Sequence, residues 1–277
     1  MDQVGFVVTG YEKGYLRFGS LGGVDARLLP AAELTVLTPI PMPAVVDVMP
    51  PHALSKEDSD QSLPLDKLYL DVGLTEQETM ERIPLGTPVV YNTPVLNLAG
   101  GCLCGPALDD KSCAAIVLKV FEELKDDRLP FDLYALFSVQ EEVGTRGAVP
   151  GTYAIAPDYA IVLDVTFGEQ PDVPDYKTLK MGGGAAIGLG PNVNRRFSEA
   201  LGAFAKENGL PCQWEVMPGN SGTDAWPIQV SRFGVATAIV SLPLRYMHSP
   251  AELIRISDAD NIIKLLTGFL RQAGEVL

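Results

Sequence analysis

The sequence predicts an α/β fold: a mostly parallel sheet flanked by helices, interrupted by an inserted small β-barrel domain. Three observations predict it. From about Leu98 onward, apolar strand-like runs alternate with segments that are apolar at helical spacing, a pattern that favours a parallel sheet covered on both faces. Between Phe6 and Asn92, short strand-like runs are separated by prolines and glycines, as in a small barrel or sandwich. The 277 residues are 47% hydrophobic and 20% charged, enough to bury a substantial core without staples.

The β-rich part opens with Gly5–Thr9 and Tyr15–Phe18, which flank Tyr11-Glu12-Lys13-Gly14 as a hairpin. Further strand-like runs cover Glu33–Val36, Ala44–Val48, Lys67–Val72 and Pro88–Tyr91, and Pro50–Pro64 is polar and proline-flanked, a surface loop. In the α/β part, Lys111–Lys125 carries Ala114, Val117, Phe121 and Leu124 on one helical face. Phe131–Val139 and Tyr159–Val165 are apolar strands, Asn194–Asn208 has Phe197, Leu201 and Phe204 at helical spacing, and Val235–Leu242 is a buried strand. Ser257, with Asp260 three residues on, caps a last helix that ends near Glu275. This divides the chain into an α/β domain of residues 1–5 and 93–277 and an inserted β domain of residues 6–92.

A net charge of −14 argues against nucleic acid and anionic membranes as partners. The four cysteines, Cys102, Cys104, Cys113 and Cys212, form no Cys-x-x-Cys pair and read as free thiols in a reducing compartment. With no basic-then-apolar leader and no run able to span a bilayer, the expected location is the cytoplasm.

Chemistry-bearing residues fall where strands end. Asp109 and Asp110 precede the first good helix, where carboxylates either cap the helix or hold a cation. Glu141 and Glu142 follow the strand-like run to Val139; side by side they repel, which a cation relieves for one while the other is left as a base, the alternative being a solvated turn. Asp164 ends another strand among apolar neighbours, a costly place for an unpaired carboxylate. His248, one of two histidines, follows the strand Val235–Leu242; His52 sits in the proline-flanked loop and reads as surface. Carboxylates plus imidazole suit zinc, cobalt or manganese, and the set leaves one carboxylate over for general-base work.

Six motifs occur in an order that resembles the glutamyl aminopeptidase/TET family of dimetal aminopeptidases. They are Asp2-Gln3-Val4-Gly5-Phe6, Ala107-Leu108-Asp109-Asp110-Lys111, Gln140-Glu141-Glu142-Val143-Gly144, Leu163-Asp164-Val165, Gly222-Thr223-Asp224-Ala225 and Arg245-Tyr246-Met247-His248-Ser249-Pro250. The resemblance spans essentially the whole chain. It implies a zinc-exopeptidase type catalytic domain, a β-barrel used in subunit assembly, short peptides as substrates, and homo-oligomers from dimers up to dodecamers. It implies Asp109 as a carboxylate shared by two divalent metal ions, zinc or cobalt. Glu142 and His248 complete one metal site, Asp164 belongs to the other, and Glu141 is the general base. The Asp109–Asp110 peptide bond is implied to be cis, and Asp2 to orient a metal-binding histidine. That histidine stands two residues ahead of the aspartate matching Asp2, before residue 1 here, as do a helix and strands of the family. The expectation for this chain is therefore one tightly held metal, at the His248 site, and weakened activity.

Two other classes compete. A glycosidase also uses paired carboxylates, but Trp214 and Trp226 are the only tryptophans to bind sugar, and His248 has no part in that chemistry. An inactive assembly subunit is the non-enzymatic alternative. Met181-Gly182-Gly183-Gly184 reads as a tight turn rather than a dinucleotide site, and Thr223-Asp224 as a helix cap that also faces substrate.

Overall fold

The computed structural model describes residues 2–50, 52, 63–171 and 173–276. Most of the Pro50–Pro64 loop lies outside them; His52 is exposed. Two compact units result: residues 3–95 with 248–251, and residues 1–2, 96–247 and 252–277.

The first unit is a closed barrel. Its strands are β1 (Gly5–Glu12), β2 (Tyr15–Leu21), β3 (Glu33–Val36), β4 (Met42–Val46), β5 (Leu70–Asp71) and β6 (Pro88–Tyr91), in the order β1-β2-β5-β4-β3-β6 and closed by β1 against β6. Side chains alternate in and out along β3, β4 and β6, which sends Leu34, Val36, Val46 and Val89 into the core. Phe6 anchors that core, edge-on to Phe18 at 5.4 Å and to Tyr91 at 5.6 Å. The predicted hairpin turns at Lys13 and Gly14, both at positive φ, where glycine is the unstrained residue. Helix α1 (Glu76–Arg82), closed by a capping box between Thr75 and Glu78, escaped the sequence reading.

The second unit is a sheet between two helical layers. Its strands are β7 (Leu96–Leu98), β8 (Cys102–Gly105), β9 (Tyr159–Phe167), β10 (Ala185–Leu189), β11 (Cys212–Val216), β12 (Ala236–Arg245) and β13 (Glu252–Arg255). Five of them follow β12 on one side in the order β10-β11 and β13-β8-β7, and β9 pairs along its opposite edge over nine residues. Helices α2 (Leu108–Leu124), α4 (Arg195–Glu207) and α6 (Ile256–Val276) share one core with Val240 and Leu242. Helices α3 (Ala148–Ile155) and α5 (Ala225–Ile228) share another with Val162 and Ile239, so alternate residues of β9 and β12 face opposite layers.

Three expectations need correction. The sheet is mixed rather than mostly parallel: among the described residues β9–β12 and β10–β11 pair in parallel, whereas the other four pairings are antiparallel. Short turns join β7 to β8 and β12 to β13, and a short turn can only reverse the chain. Phe131–Val139 forms no strand; none of its residues 131–138 has a backbone hydrogen bond to the described chain. The last helix starts at Ile256, ahead of Ser257, and nearby Asp258 instead accepts from the backbone N–H groups of Gly182 (2.7 Å) and Gly184 (2.9 Å), fixing the glycine turn.

Glu215 on β11 lies opposite Gly188 of β10. With only Gly188 and Ala186 on that face of β10, its half-buried side chain crosses the strand. It accepts from the Ser241 hydroxyl on β12 (2.8 Å) and from Thr166 on β9.

Candidate metal centre

The site is built at the N-terminal end of α2 and on β9 in the sheet unit; β9 runs on to Phe167, still paired with β12, so Asp164 sits within the strand and does not end it as expected. Before α2, Ala107 is left-handed (φ 57°) and the Asp109–Asp110 peptide bond is cis, as the resemblance implied. Both aspartates are buried. The backbone N–H of Asp109 donates to the carboxylate of Glu252 (3.0 Å), itself fully buried on β13. Oxygens of Asp109, Asp110 and the β9 residue Asp164 lie within 4.8 Å of one another, as do those of Asp109 and Glu142.

Like charges this close raise one another's proton affinity. Burial, then the neighbouring carboxylates, push Asp110 and Asp164 well above the usual carboxylate range. Asp110 accepts from Cys113, whose thiol is pushed up by its burial and by Asp110. One oxygen of Asp110 nevertheless is buried with no hydrogen-bond partner, as is one of Asp224. The orphaned buried oxygen of Asp110, set among converging oxygens of Asp109, Asp110 and Asp164, fits a divalent cation, which would satisfy it and offset the repulsion of the three carboxylates.

Glu141 is half-buried beside this cluster. Loss of water, followed by the charges of Asp224, Glu142, Asp109 and Asp2, raises its carboxyl to about 8. Its backbone N–H donates to Asp2 (3.0 Å), which fixes the turn that follows Val139. The turn is tight: Gln140 and Thr145 are left-handed, and Glu141 carbonyl oxygen accepts from Gly144 (2.9 Å) and Thr145 (2.8 Å).

Asp2, Asp109, Glu141, Glu142 and Asp164 thus gather in one unit. His248 lies in the four-residue segment that groups with the barrel unit, is left-handed (φ 61°), and packs on Gly23, where a Cβ would meet its Nδ1 at 3.1 Å. Sequence reasoning missed Glu252, Ser138 and Cys113. Of the Thr223-Asp224 pair expected to cap α5, Thr223 does so, its Oγ1 accepting from the Ala225 N–H (3.2 Å), whereas Asp224 makes no side-chain cap and accepts from Ser138. The sequence offers only a slight signal for Glu252, one glutamate between Ala251 and the apolar pair Leu253-Ile254.

Comparison with known proteins accounts for this arrangement. The family model for M42 glutamyl aminopeptidase matches residues 1–265. The lysyl aminopeptidase of Pyrococcus furiosus is 36% identical over 278 residues, covering 98% of this chain and 80% of that protein. The TET aminopeptidase of a marine-sediment Thaumarchaeota archaeon superposes with a TM-score of 0.92 at 29% identity, over 98% of this chain and 79% of that one. The Pyrococcus horikoshii TET1 peptidase, which can assemble into a tetrahedron or a large octahedral shell, has a TM-score of 0.86 at 29% identity, over 98% and 81% of the two chains. Carboxylates clustered between β9 and the start of α2, the two-unit fold and the match along nearly the whole sequence converge: this chain belongs to the M42 glutamyl aminopeptidase family, whose members are peptidase hydrolases.

Proposed function

We propose that the chain removes N-terminal residues from short peptides with Asp109 shared between two divalent-cation sites, one completed by Glu142 and His248 and the other by Asp164. The observation that carries the reading is the convergence of Asp109, Asp110, Asp164 and Glu142 with a half-buried glutamate to spare. His248 enters on its motif alone, Arg245-Tyr246-Met247-His248-Ser249-Pro250, three residues after β12 ends. Bound cations would polarise the scissile carbonyl and promote ionisation of the attacking water. Glu141 accepts the proton that water gives up and passes it to the departing amine. Asp2 holds the Glu141 backbone in place, and Glu252 does the same for Asp109.

The His248 set includes an imidazole and suits zinc or cobalt; the Asp164 set is carboxylate only and holds such ions less tightly. Hydrolysis of aminoacyl reporter substrates, with and without added zinc or cobalt and after chelation, tests the proposal. Release of the N-terminal residue that disappears on chelation and returns with metal is the expected result. Metal-independent release, or cleavage of glycoside reporters in its place, rejects it.

The barrel unit, taken as residues 6–92, serves subunit assembly on this reading, and the compartment is the cytoplasm. Support comes from the shell-forming relative and from apolar side chains left exposed on the barrel, Ile40 at 81% among them. Sedimentation at micromolar concentration is expected to show a dimer or larger; a monomer refutes the assembly role. Among the described residues no helix is long and apolar enough to cross a membrane.

A further inference from the structure

The sheet face that carries Asp164 also carries a carboxylate that the proposed chemistry does not use. Glu215 extends from β11 across Gly188 of β10 and accepts from two hydroxyls, Ser241 on β12 (2.8 Å) and Thr166 on β9. Burial pushes its carboxyl up, while the two hydroxyls pull it down. A neutral amide could also bond to two hydroxyls on a sheet face, and it costs less to bury than a carboxylate. The carboxylate therefore needs a reason beyond bracing the strands.

That reason lies in where the two hydroxyls stand. Ser241 is the β12 residue in register with Asp164, and Thr166 follows Asp164 by two on β9. Residues in register, and residues two apart along one strand, point to the same face of a sheet. Ser241 and Thr166 are thus the cross-strand and along-strand neighbours of Asp164. Each hydroxyl has one proton to give. Both protons go to Glu215, so the two oxygens turn only lone pairs to the rest of the face. Among the described residues, the Asp164 carboxylate accepts from the Val165 backbone N–H (2.8 Å) and from neither hydroxyl. A carboxylate with no hydroxyl donor keeps its lone pairs for a cation, and Asp109 and Asp110 bring oxygens to within 4.8 Å of its own.

We propose that Glu215 is a positioning residue for the cation site of Asp164: it takes the protons of Ser241 and Thr166 and so keeps hydroxyl donors off the Asp164 carboxylate. This role rests on the two-cation reading above and adds to it a residue that acts through two hydroxyls. Glutamine at position 215 breaks the arrangement while keeping its shape. Its amide oxygen accepts from one hydroxyl, but its NH₂ group can only donate to the other. The second hydroxyl then has a free proton, and Asp164 is the acceptor beside it.

Cobalt(II) titrations of the metal-free full chain, read by equilibrium dialysis and visible absorption, test the role. Asp164→Asn marks the binding event that belongs to Asp164. In Glu215→Gln that event is expected to weaken by about 10–100-fold, the usual cost of losing a partner behind a metal ligand, while any other event stays within about threefold. A second variant combines Glu215→Met, Ser241→Ala and Thr166→Val and has no hydroxyl left to donate. Its Asp164 event is expected to return to within about threefold of the parent. A brace, or the bare charge of Glu215, predicts the opposite, since the triple variant lacks both the cross-strand bonds and the carboxylate. Unchanged cobalt binding in Glu215→Gln, with or without a lower melting temperature, overturns the role of Glu215 and leaves the two-cation reading standing. A triple variant as weak as Glu215→Gln also overturns it. A parent chain with no binding event that Asp164→Asn removes overturns both.

Discussion

Replacing Glu141 with glutamine is expected to lower aminopeptidase turnover by about 10²–10⁴-fold, the usual contribution of a general base. The substitution keeps the shape of the side chain and removes its capacity to take a proton. Structural cost should be small, because the contact that holds this turn is made by the Glu141 backbone N–H to Asp2, not by the side chain. With its carboxyl raised to about 8, Glu141 in the metal-free protein is largely protonated at neutral pH, so the neutral glutamine changes the charge of the cluster little and the fold should be kept. The comparison therefore needs kcat, bound metal and melting temperature from the same preparation. Turnover within a few-fold of the parent at equal metal content removes Glu141 from the chemistry and leaves it an electrostatic neighbour.

Asp109→Asn should have the larger effect on metal. Asp109 is within 4.8 Å of both the Asp110–Asp164 pair and Glu142, so one neutral amide weakens both sets together. Bound metal measured after dialysis is expected to fall toward zero and hydrolysis by at least about 10³-fold, equivalent to the several kcal/mol that Lewis-acid catalysis supplies. Asparagine preserves the backbone N–H that donates to Glu252, so the helix entry stays in place and circular dichroism should be unchanged. Full metal content in a folded Asp109→Asn protein would mean that the ions sit elsewhere.

The barrel was legible because short alternating runs between turn residues have few other outcomes. Glu33–Val36 and Pro88–Tyr91 match β3 and β6 residue for residue. Helix α4 was equally legible from Phe197, Leu201 and Phe204, and Asn194 caps it by accepting from the Phe197 N–H. Strand direction was not legible. It depends on which distant segments pair, and β7, β8 and β13 are too short to show a period of two. Phe131–Val139 shows the limit from the other side: its composition specifies a strand, but a strand exists only with a partner at its edge. At the site, Asp109, Glu141, Glu142 and Asp164 stood out as carboxylates at strand ends. Glu252, Ser138 and Cys113 act through contacts across the fold that no local pattern encodes.

The reach of Glu215 over β10 makes four positions interdependent in descent. A side chain at residue 188 would meet Ile239 at 3.1 Å and Met217 at 3.5 Å on the face that Glu215 crosses, while loss of Glu215 would leave the hydroxyls of Ser241 and Thr166 without this acceptor. No one of these changes is easily accepted first, since each leaves the other three suited to a partner that has gone. Lineages that abandon the arrangement should replace glycine, glutamate, serine and threonine as a group, with an apolar cross-strand set in their place. Thr166 stands two residues from Asp164 on the same face of β9, so this inherited block also limits how freely the sequence around the metal centre can drift.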